Sequence, residues 1–563
     1  MNYLPNRRIL VASVAFAVFA LGLLAACASD QAAAPTAIAT PAPPTPTALP
    51  RGGTLTVRAS ADAPELRPWQ PRSRAEEQAI TLLYSGLTHL DNKLQPRPDL
   101  AERWDTSADG RLITFTLRSN LNWHDGAPLT ADDVAYTIGA LREISPTTAL
   151  LADLRDRIAT VSTVATNTVE ISLTERYAPI LADLAVPILP KHLLNGKNLA
   201  AINFWDVPIG SGPFKFVKRE PGKAITFAVH PLFYRGPPLL DQVVLVVTPD
   251  LSATTKALAN GQLLLAELPP NVAFSNVQAG EYVENGSYFL AFNTRAGRVF
   301  AEPQVRNALA AAIDLPKLVR AATNGIGKPI ADGAAPSSWA DFLPPPTSTL
   351  DLRRAKALLD EAGWRQPDGS SVRERNGQQL AAQIFVRGDD PRRIKAAKLI
   401  VAAAASVGIS LTVQPADFDS VIRSKYLPPY DFDLLIGSWS GGVGDPQFGD
   451  YLFYDPDDYP LFHSSQINQG AADTRPVLNF TGFSDPVYEA QAIAARQLYA
   501  ISERSQSLRR TQQRLSDLKP YFYLWSDKTT VTLSPHVTTL DGQIDINSPA
   551  YLWNIERWYL TKR

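Results

Sequence analysis

A single cysteine, Cys27, among 563 residues decides how this chain must be stabilised. It follows Leu24-Ala25-Ala26 at the end of an uncharged apolar stretch, Ile9 to Ala26, which Arg7 and Arg8 precede. A basic start, an apolar middle and small residues at the end make a secretory signal that is cut away. Beyond Cys27 there is no thiol, so the exported fold is expected to contain no internal disulfide and no thiolate metal site. Its stability must then come from apolar burial. At 45% hydrophobic the chain can bury a large core, and its length suggests two to four domains.

Leu24-Ala25-Ala26-Cys27 resembles the lipobox of bacterial lipoproteins, in which the cysteine is acylated and becomes the first mature residue. The resemblance implies a membrane tether through lipid at Cys27, and several acyl chains anchor stably where one binds only marginally. Removing Arg7 and Arg8 leaves 52 basic against 55 acidic residues, a net charge of −3. Such a balance gives no reason to expect nucleic acid or a polybasic membrane surface as a partner. No later apolar run reaches the roughly 18 residues that span a bilayer. Ala28 to Pro50 is almost wholly Ala, Pro and Thr, which bury nothing and break helices, so residues 27–50 read as an extended tether behind a signal at 1–26.

Folded sequence starts at Arg51-Gly52-Gly53-Thr54-Leu55-Thr56-Val57, where polar and apolar residues alternate as in a strand. The same pattern predicts strands at Ile113–Leu117, Val169–Leu173, Ile225–Val229, Val243–Val247, Gln383–Val386, Ser410–Val413 and Phe432–Ile436. Helices are expected at Ala131–Leu141, behind a Thr130/Asp133 capping box, and at Asp351–Ala362 before Gly363. Others are expected at Arg392–Ser406, Pro486–Tyr499 and Ser502–Leu518, the last closed by Pro520. Alternation of the two types throughout means α/β.

A series of stretches, in order, resembles the solute-binding lipoproteins of bacterial ABC transporters for peptides, nickel and related solutes. They include Leu83-Tyr84-Ser85-Gly86-Leu87, Leu100-Ala101-Glu102-Arg103-Trp104, and Trp123-His124-Asp125-Gly126-Ala127-Pro128-Leu129-Thr130-Ala131-Asp132-Asp133-Val134. Leu189-Pro190-Lys191-His192, Pro208-Ile209-Gly210-Ser211-Gly212-Pro213-Phe214, Phe292-Asn293-Thr294, Val305-Arg306-Asn307-Ala308-Leu309 and Ala362-Gly363-Trp364 follow. Trp439 to Asp445-Pro446 and Trp553-Asn554-Ile555-Glu556-Arg557-Trp558 complete the series.

The resemblance implies a class II periplasmic-binding fold: two lobes with a hinge plus an inserted smaller domain. Lobe I would comprise 51–86, 207–292 and 521–563, the inserted domain 87–206, and lobe II 293–520. Solute would bind between the lobes and be handed, unchanged, to the permease subunits of an importer. The protein would act as an extracytoplasmic, lipid-anchored monomer with no cofactor.

Peptide is the default solute, with oligosaccharides, opine-like conjugates and metal chelates as alternatives. The first site candidate is the glycine-rich loop 437–446, where Trp439 offers a stacking face and Gly441 and Gly442 allow close backbone approach. In peptide-binding relatives the third position past this tryptophan carries an aspartate that pairs with the ligand's ammonium; here it is Gly442, and Asp445 lies three residues further on. Arg72, Ser73 and Arg74 fall where the family's cleft-lining segment runs, and guanidinium suits a carboxylate. Asn293 and the aromatics of Tyr288–Asn293 mark the lobe crossover, and Arg423 and Lys425 are weaker candidates. A hydrolase is the competing class. It finds no convincing nucleophile elbow or His-Glu-x-x-His, and the six histidines form no ligand-spaced pair, so no catalytic residue and no metal site are expected. His124-Asp125 reads as a turn.

Overall fold

The computed structural model describes residues 50–563, apart from 146–147, 271, 273, 335–337, 342, 345–349, 440–453, 469, 471–477 and 562–563. One twelve-stranded mixed sheet runs through the described residues, and its order explains the architecture. At one end, Thr54–Ala59 lies parallel to Gln242–Val247, which continues antiparallel to Ala224–Val229 and then to Phe214–Glu220. At the other end, Leu434–Trp439 lies between Ala381–Arg387 and Ser287–Phe292. The strand Tyr521–Leu533 joins the ends: its first half pairs with Ser287–Phe292 and Gly327–Pro329, its second with Leu265–Leu268 and Gln278–Val283. Ser287–Phe292 and the start of Tyr521–Leu533 thus share one end of the sheet with Leu434–Trp439, while the end of the same long strand lies with Leu265–Leu268 and Gln278–Val283.

Strand alternation sorts side chains into separate cores. In Ser287–Phe292, Leu290 and Phe292 pack against helices on one face, while Phe289 and Ala291 join Trp439, Phe480 and Tyr521 on the other. Val531 and Leu533, at the far end of the shared strand, belong to the first lobe's core with Leu55, Val57 and Leu245. A separate four-stranded antiparallel layer, in the order Ala101–Thr106, Leu112–Leu117, Thr168–Leu173 and Ile158–Ala165, has its own core around Phe115, Trp123, Ile138 and Ile171. The Asp133 carboxylate accepts the Thr130 N–H at 2.9 Å, which starts the helix Ala131–Arg142 as its sequence predicts.

The Gly210-Ser211-Gly212 break has a steric cause. A Cβ on Gly210 would lie 2.0 Å from the Leu83 carbonyl oxygen, and one on Gly212 would lie 2.5 Å from the Leu83 carbonyl carbon. The two glycines let the return strand press against the end of the helix Arg74–Leu83, where Gly212 N–H donates to Leu83 O at 2.9 Å. The helix at Pro486 stops at Arg496, short of the expected Tyr499. Ala178 N–H donates to the Arg496 carbonyl at 2.6 Å and the Tyr499 hydroxyl to Gly110 O at 2.9 Å, so tertiary contacts with the small layer end it.

Candidate functional site

Beside the long strand Tyr521–Leu533, Trp439, Asn285, Ser287 and Ser526 face the segment Tyr454–Asp458 across a hollow of about 20 Å³, room for about a single water. Each position has a local reason. Trp439 ends its strand opposite Ser287, with its ring packed among Phe289, Tyr426 and Phe480 at centroid distances of 5.8 to 6.0 Å. Gly437, two residues earlier, stands where a Cβ would meet the Tyr426 hydroxyl at 2.5 Å and the Phe289 ring at 2.8 Å, so its glycine serves packing. Asp457 caps the turn into Tyr459–Phe462 by accepting the Tyr459 N–H at 3.1 Å.

Three carboxylates from four successive residues give the hollow its charge. Asp455 takes a two-pronged pair from Arg504, 2.6 Å to each oxygen, and Asp457 meets Arg496 Nε at 2.6 Å. The Asp458 side-chain carboxyl has no hydrogen-bond or ion-pair partner among the described residues, and the residue is only 6% exposed. Burial, then the fields of Asp332 and Asp457, holds its carboxyl well above the usual carboxylate range. Asp332 is pushed up to about 7 by burial: one oxygen accepts the Ala334 N–H at 2.9 Å and Oδ2 accepts nothing.

Across the seam the small layer brings more acid. Asp183 is buried with Oδ2 unpartnered, and its carboxyl is held high by burial and then by Asp153 and Asp455. Arg496 serves both sides: Nη2 donates to the Tyr177 hydroxyl at 3.2 Å, and the guanidinium lies 4.8 Å from the Tyr177 ring and 4.0 Å from that of Tyr459. Two arginines thus stand among Asp153, Asp183, Asp455 and Asp457.

The residues singled out by sequence fall in several places. Cys27, Gly441, Gly442 and Asp445 lie outside the described residues. Arg72 is exposed, 3.6 Å from Glu65. Ser73 caps the helix Arg74–Leu83 by accepting the Glu76 N–H at 3.3 Å. Arg74 is drawn inward by Glu77 at 3.1 Å and Glu267 at 2.9 Å, and it borders a different hollow, of about 110 Å³, with His89 and Trp553. Asn293 is fully buried: its amide donates to Tyr430 O and Phe432 O, both at 2.9 Å, and its oxygen accepts the Arg295 N–H. Tyr288 stacks on Trp525 at 4.6 Å and accepts from Arg392 at 2.9 Å. Arg423 pairs with Asp419 at 2.5 Å, and Lys425 lies 4.4 Å over Phe385. Only Trp439 of the eight ligand candidates lines this hollow among the described residues. His124 is a buried clamp: it accepts the Gly210 N–H at Nδ1 and donates from Nε2 to Gly212 O at 3.1 Å, and Asp125 bonds His192 at 2.9 Å.

Sequence reasoning stopped at Asp445-Pro446 and missed Asp455, Asp457, Asp458 and Asp332. The available signal was a second Asp-Pro pair, Asp455-Pro456, followed by two more carboxylates and then apolar Leu461-Phe462.

Residues 95–460 match the model of the bacterial extracellular solute-binding proteins, family 5. The chain belongs to this family. Among curated relatives, the oligopeptide-binding protein AppA of Bacillus subtilis (strain 168) is 24% identical over 538 residues, covering 91% of this chain and 92% of that protein. The nickel-binding periplasmic protein of Escherichia coli (strain K12) is 27% identical over 421 residues, 71% and 77% of the two chains. The solved structure of NikZ from Campylobacter jejuni with Ni(L-His) aligns at TM-score 0.67 and 25% identity over 90% of this chain and 99% of that one. HbpA2 from Haemophilus parasuis shares the fold at TM-score 0.74, 22% identical, over 91% and 100%. A family 5 protein is an extracytoplasmic solute-binding component of the ABC-transporter type and not an enzyme. The class II two-lobed fold expected from the resemblance is the fold of these structures. Among the described residues no helix is long and apolar enough to cross a membrane.

Proposed function

We propose that this family 5 protein captures a peptide-like solute between its lobes and delivers it to an ABC importer, held at the membrane by lipid on Cys27. The observation that carries the reading is the hollow at Trp439, where strands crossing between the lobes meet Asp455, Asp457 and Asp458. That arrangement puts an aromatic face beside carboxylates, and carboxylates recognise ammonium groups. The hollow is too small for a peptide in this conformation, so capture requires the lobes to part and close again, a hinge motion that solute drives by contacts made only in the closed form. The domain limits 87–206 and 293–520 belong to the same proposal.

The test is thermal unfolding and calorimetry of the purified protein with di- to pentapeptides, oligosaccharides and Ni(L-His). Binding stabilises by RT ln(1 + [L]/Kd), about 2.7 kcal/mol at a hundredfold excess over Kd. Peptides are expected to raise Tm and sugars to leave it unchanged. A response to sugars or to Ni(L-His) alone refutes the peptide assignment. Among the described residues no group of three or more His, Cys, Asp or Glu is placed to hold a metal ion. For the anchor, Cys27→Ser is expected to give unacylated protein, and a normally acylated product refutes the tether.

A further inference from the structure

Behind the interlobe hollow, inside the second lobe, lies a cavity of about 530 Å³, the size of a small-solute site. It is bounded by the strand Tyr521–Leu533 and the helix Ile501–Leu518, and it shares Gly333 and Asp458 with the hollow at Trp439. Several polar groups at that shared end have no hydrogen-bond partner among the described residues. Asp332 Oδ2 and Gln512 Oε1 are buried without a hydrogen-bond partner, in residues 7% and 1% exposed. The carboxyl of Asp458, a residue 6% exposed, has neither hydrogen bond nor cation among the described residues, and it lies in the field of Asp332. The Tyr523 hydroxyl is likewise buried and unpartnered, and it sits against the bare backbone of Gly333, where a Cβ would come within 2.5 Å.

Buried acceptors without donors are costly, and buried carboxylates without a cation more so. Inside this same protein the neighbouring acids are matched: Asp455 has Arg504 and Asp457 has Arg496. Asp332 and Asp458 are not. The cavity's basic residues, Arg354 and Lys519, pair with neither of them; Lys519 Nζ donates to the Ser516 carbonyl. What would satisfy Asp332 Oδ2, Asp458, Gln512 Oε1 and the Tyr523 oxygen together is a compact positive group with several N–H donors.

We propose that the Asp332–Asp458 end of this cavity is a subsite for a protonated primary amine of the bound solute. The inference rests on the capture reading above and narrows its ligand class to amine-bearing solutes. The amine's N–H groups would meet the Asp458 carboxylate, Asp332 Oδ2, Gln512 Oε1 and the Tyr523 oxygen, while Asp332 Oδ1 keeps the Ala334 N–H. Because the carboxyls repel one another while empty, the incoming cation also displaces a proton from the pair.

Benzylamine and its neutral counterpart benzyl alcohol separate charge from shape. Titration calorimetry of the full chain at pH 7, in buffers of different ionisation enthalpy, is expected to show benzylamine binding more tightly than the alcohol by about tenfold or more. Proton release should accompany the amine and not the alcohol. Asp458→Asn is expected to abolish the preference, and Asp332→Asn to weaken it. Near-UV circular dichroism checks that both variants fold, and the wild-type comparison stands even if one does not. Equal binding of the two probes, no benzylamine binding at millimolar concentration, or an unchanged preference in folded Asp458→Asn overturns the subsite. A peptide panel that fails while benzylamine still depends on Asp458 sinks only the peptide reading. A panel that binds with no preference for amine-bearing side chains, with benzylamine and alcohol equal, sinks only the subsite.

Discussion

The seam at Gly210–Gly212 and the seam at Arg496 both hold the small four-stranded layer to the rest of the protein, the first with neutral groups and the second with charges. At the first, His124 and His230 sit edge to face at 4.9 Å, and both ring systems bond the Gly212 carbonyl at 3.1 Å. Burial pushes His124 down to about 3 and His230 to about 4, so both are uncharged near neutral pH. At the second, Arg496 and Arg504 stand among four carboxylates, three of them held high by burial. Neutral hydrogen bonds inside glycine-tight packing suit a joint that stays shut. Buried charges suit a joint that opens, because water can take over each ion once the faces part, whereas an apolar seam would resist exposure.

The strongest challenge to that contrast is Arg496→Met. It strips the cation from Asp457 inside the closed seam and should cost the closed form about 3–5 kcal/mol. Since the freed acids can hydrate on opening, small-angle scattering should show a larger radius of gyration while urea unfolding of the lobes changes little. A large loss of global stability at unchanged radius would mean the seam is fixed core. Next in size is His124→Ala, which orphans the buried Gly210 N–H and takes one of two ring partners from Gly212 O, leaving His230. With about 1–3 kcal/mol for each group left unsatisfied, urea unfolding should register the full loss and the radius should not move.

Titration sharpens the contrast with opposite slopes. The histidines bind protons more readily in the unfolded chain, where their ordinary value is 6.5, than in the fold, where His89 and His230 are held near 4 and His124 near 3. Their neutral form is therefore fully stabilising above about 6.5, and stability falls as pH drops from there toward 3, by at most about 1.4 kcal/mol per unit for each group. Asp332 runs the other way: raised from 3.8 to about 7, it favours the fold below 3.8, and that contribution is lost as pH rises through 7. Urea midpoints from pH 4 to 8 should show the histidine slope shrink to the share of the remaining histidines such as His89 in His124→Gln/His230→Gln, and the acid slope shrink in Asp332→Asn, where Asp458 and Asp183 keep theirs. The smallest effect is Arg72→Ala: an exposed arginine 3.6 Å from Glu65 should change stability by under about 0.5 kcal/mol.

Local pattern was enough for the elements that carry their own period and caps. Ala131–Arg142, Pro391–Ala405 and the alternating strands fall within a few residues of their expected places. It was not enough where distant pairing decides. Gly437-Ser438-Trp439 has the composition of a loop, yet it is strand because Ser287–Phe292 supplies a partner along its whole length. Arg72, Ser73 and Arg74 are adjacent in sequence but meet solvent, a helix end and Glu267 respectively, which no spacing reveals. The acids at 455–458 were visible as charge. Their burial, which makes them chemically informative, depends on helices forty residues downstream in the chain and on the small layer far upstream.

The thirteen-residue strand Tyr521–Leu533 has a consequence for biosynthesis. Leu265–Leu268 and Gln278–Val283 in one lobe, and Gly327–Pro329 in the other, pair along it. A chain that emerges N-terminus first cannot complete either end of the sheet until this strand arrives. Both ends of the sheet then finish together, so a product cut before this strand is left with open sheet edges on each side, exposed to proteolysis, and a polypeptide crossing a pore stays extendable until this strand has passed.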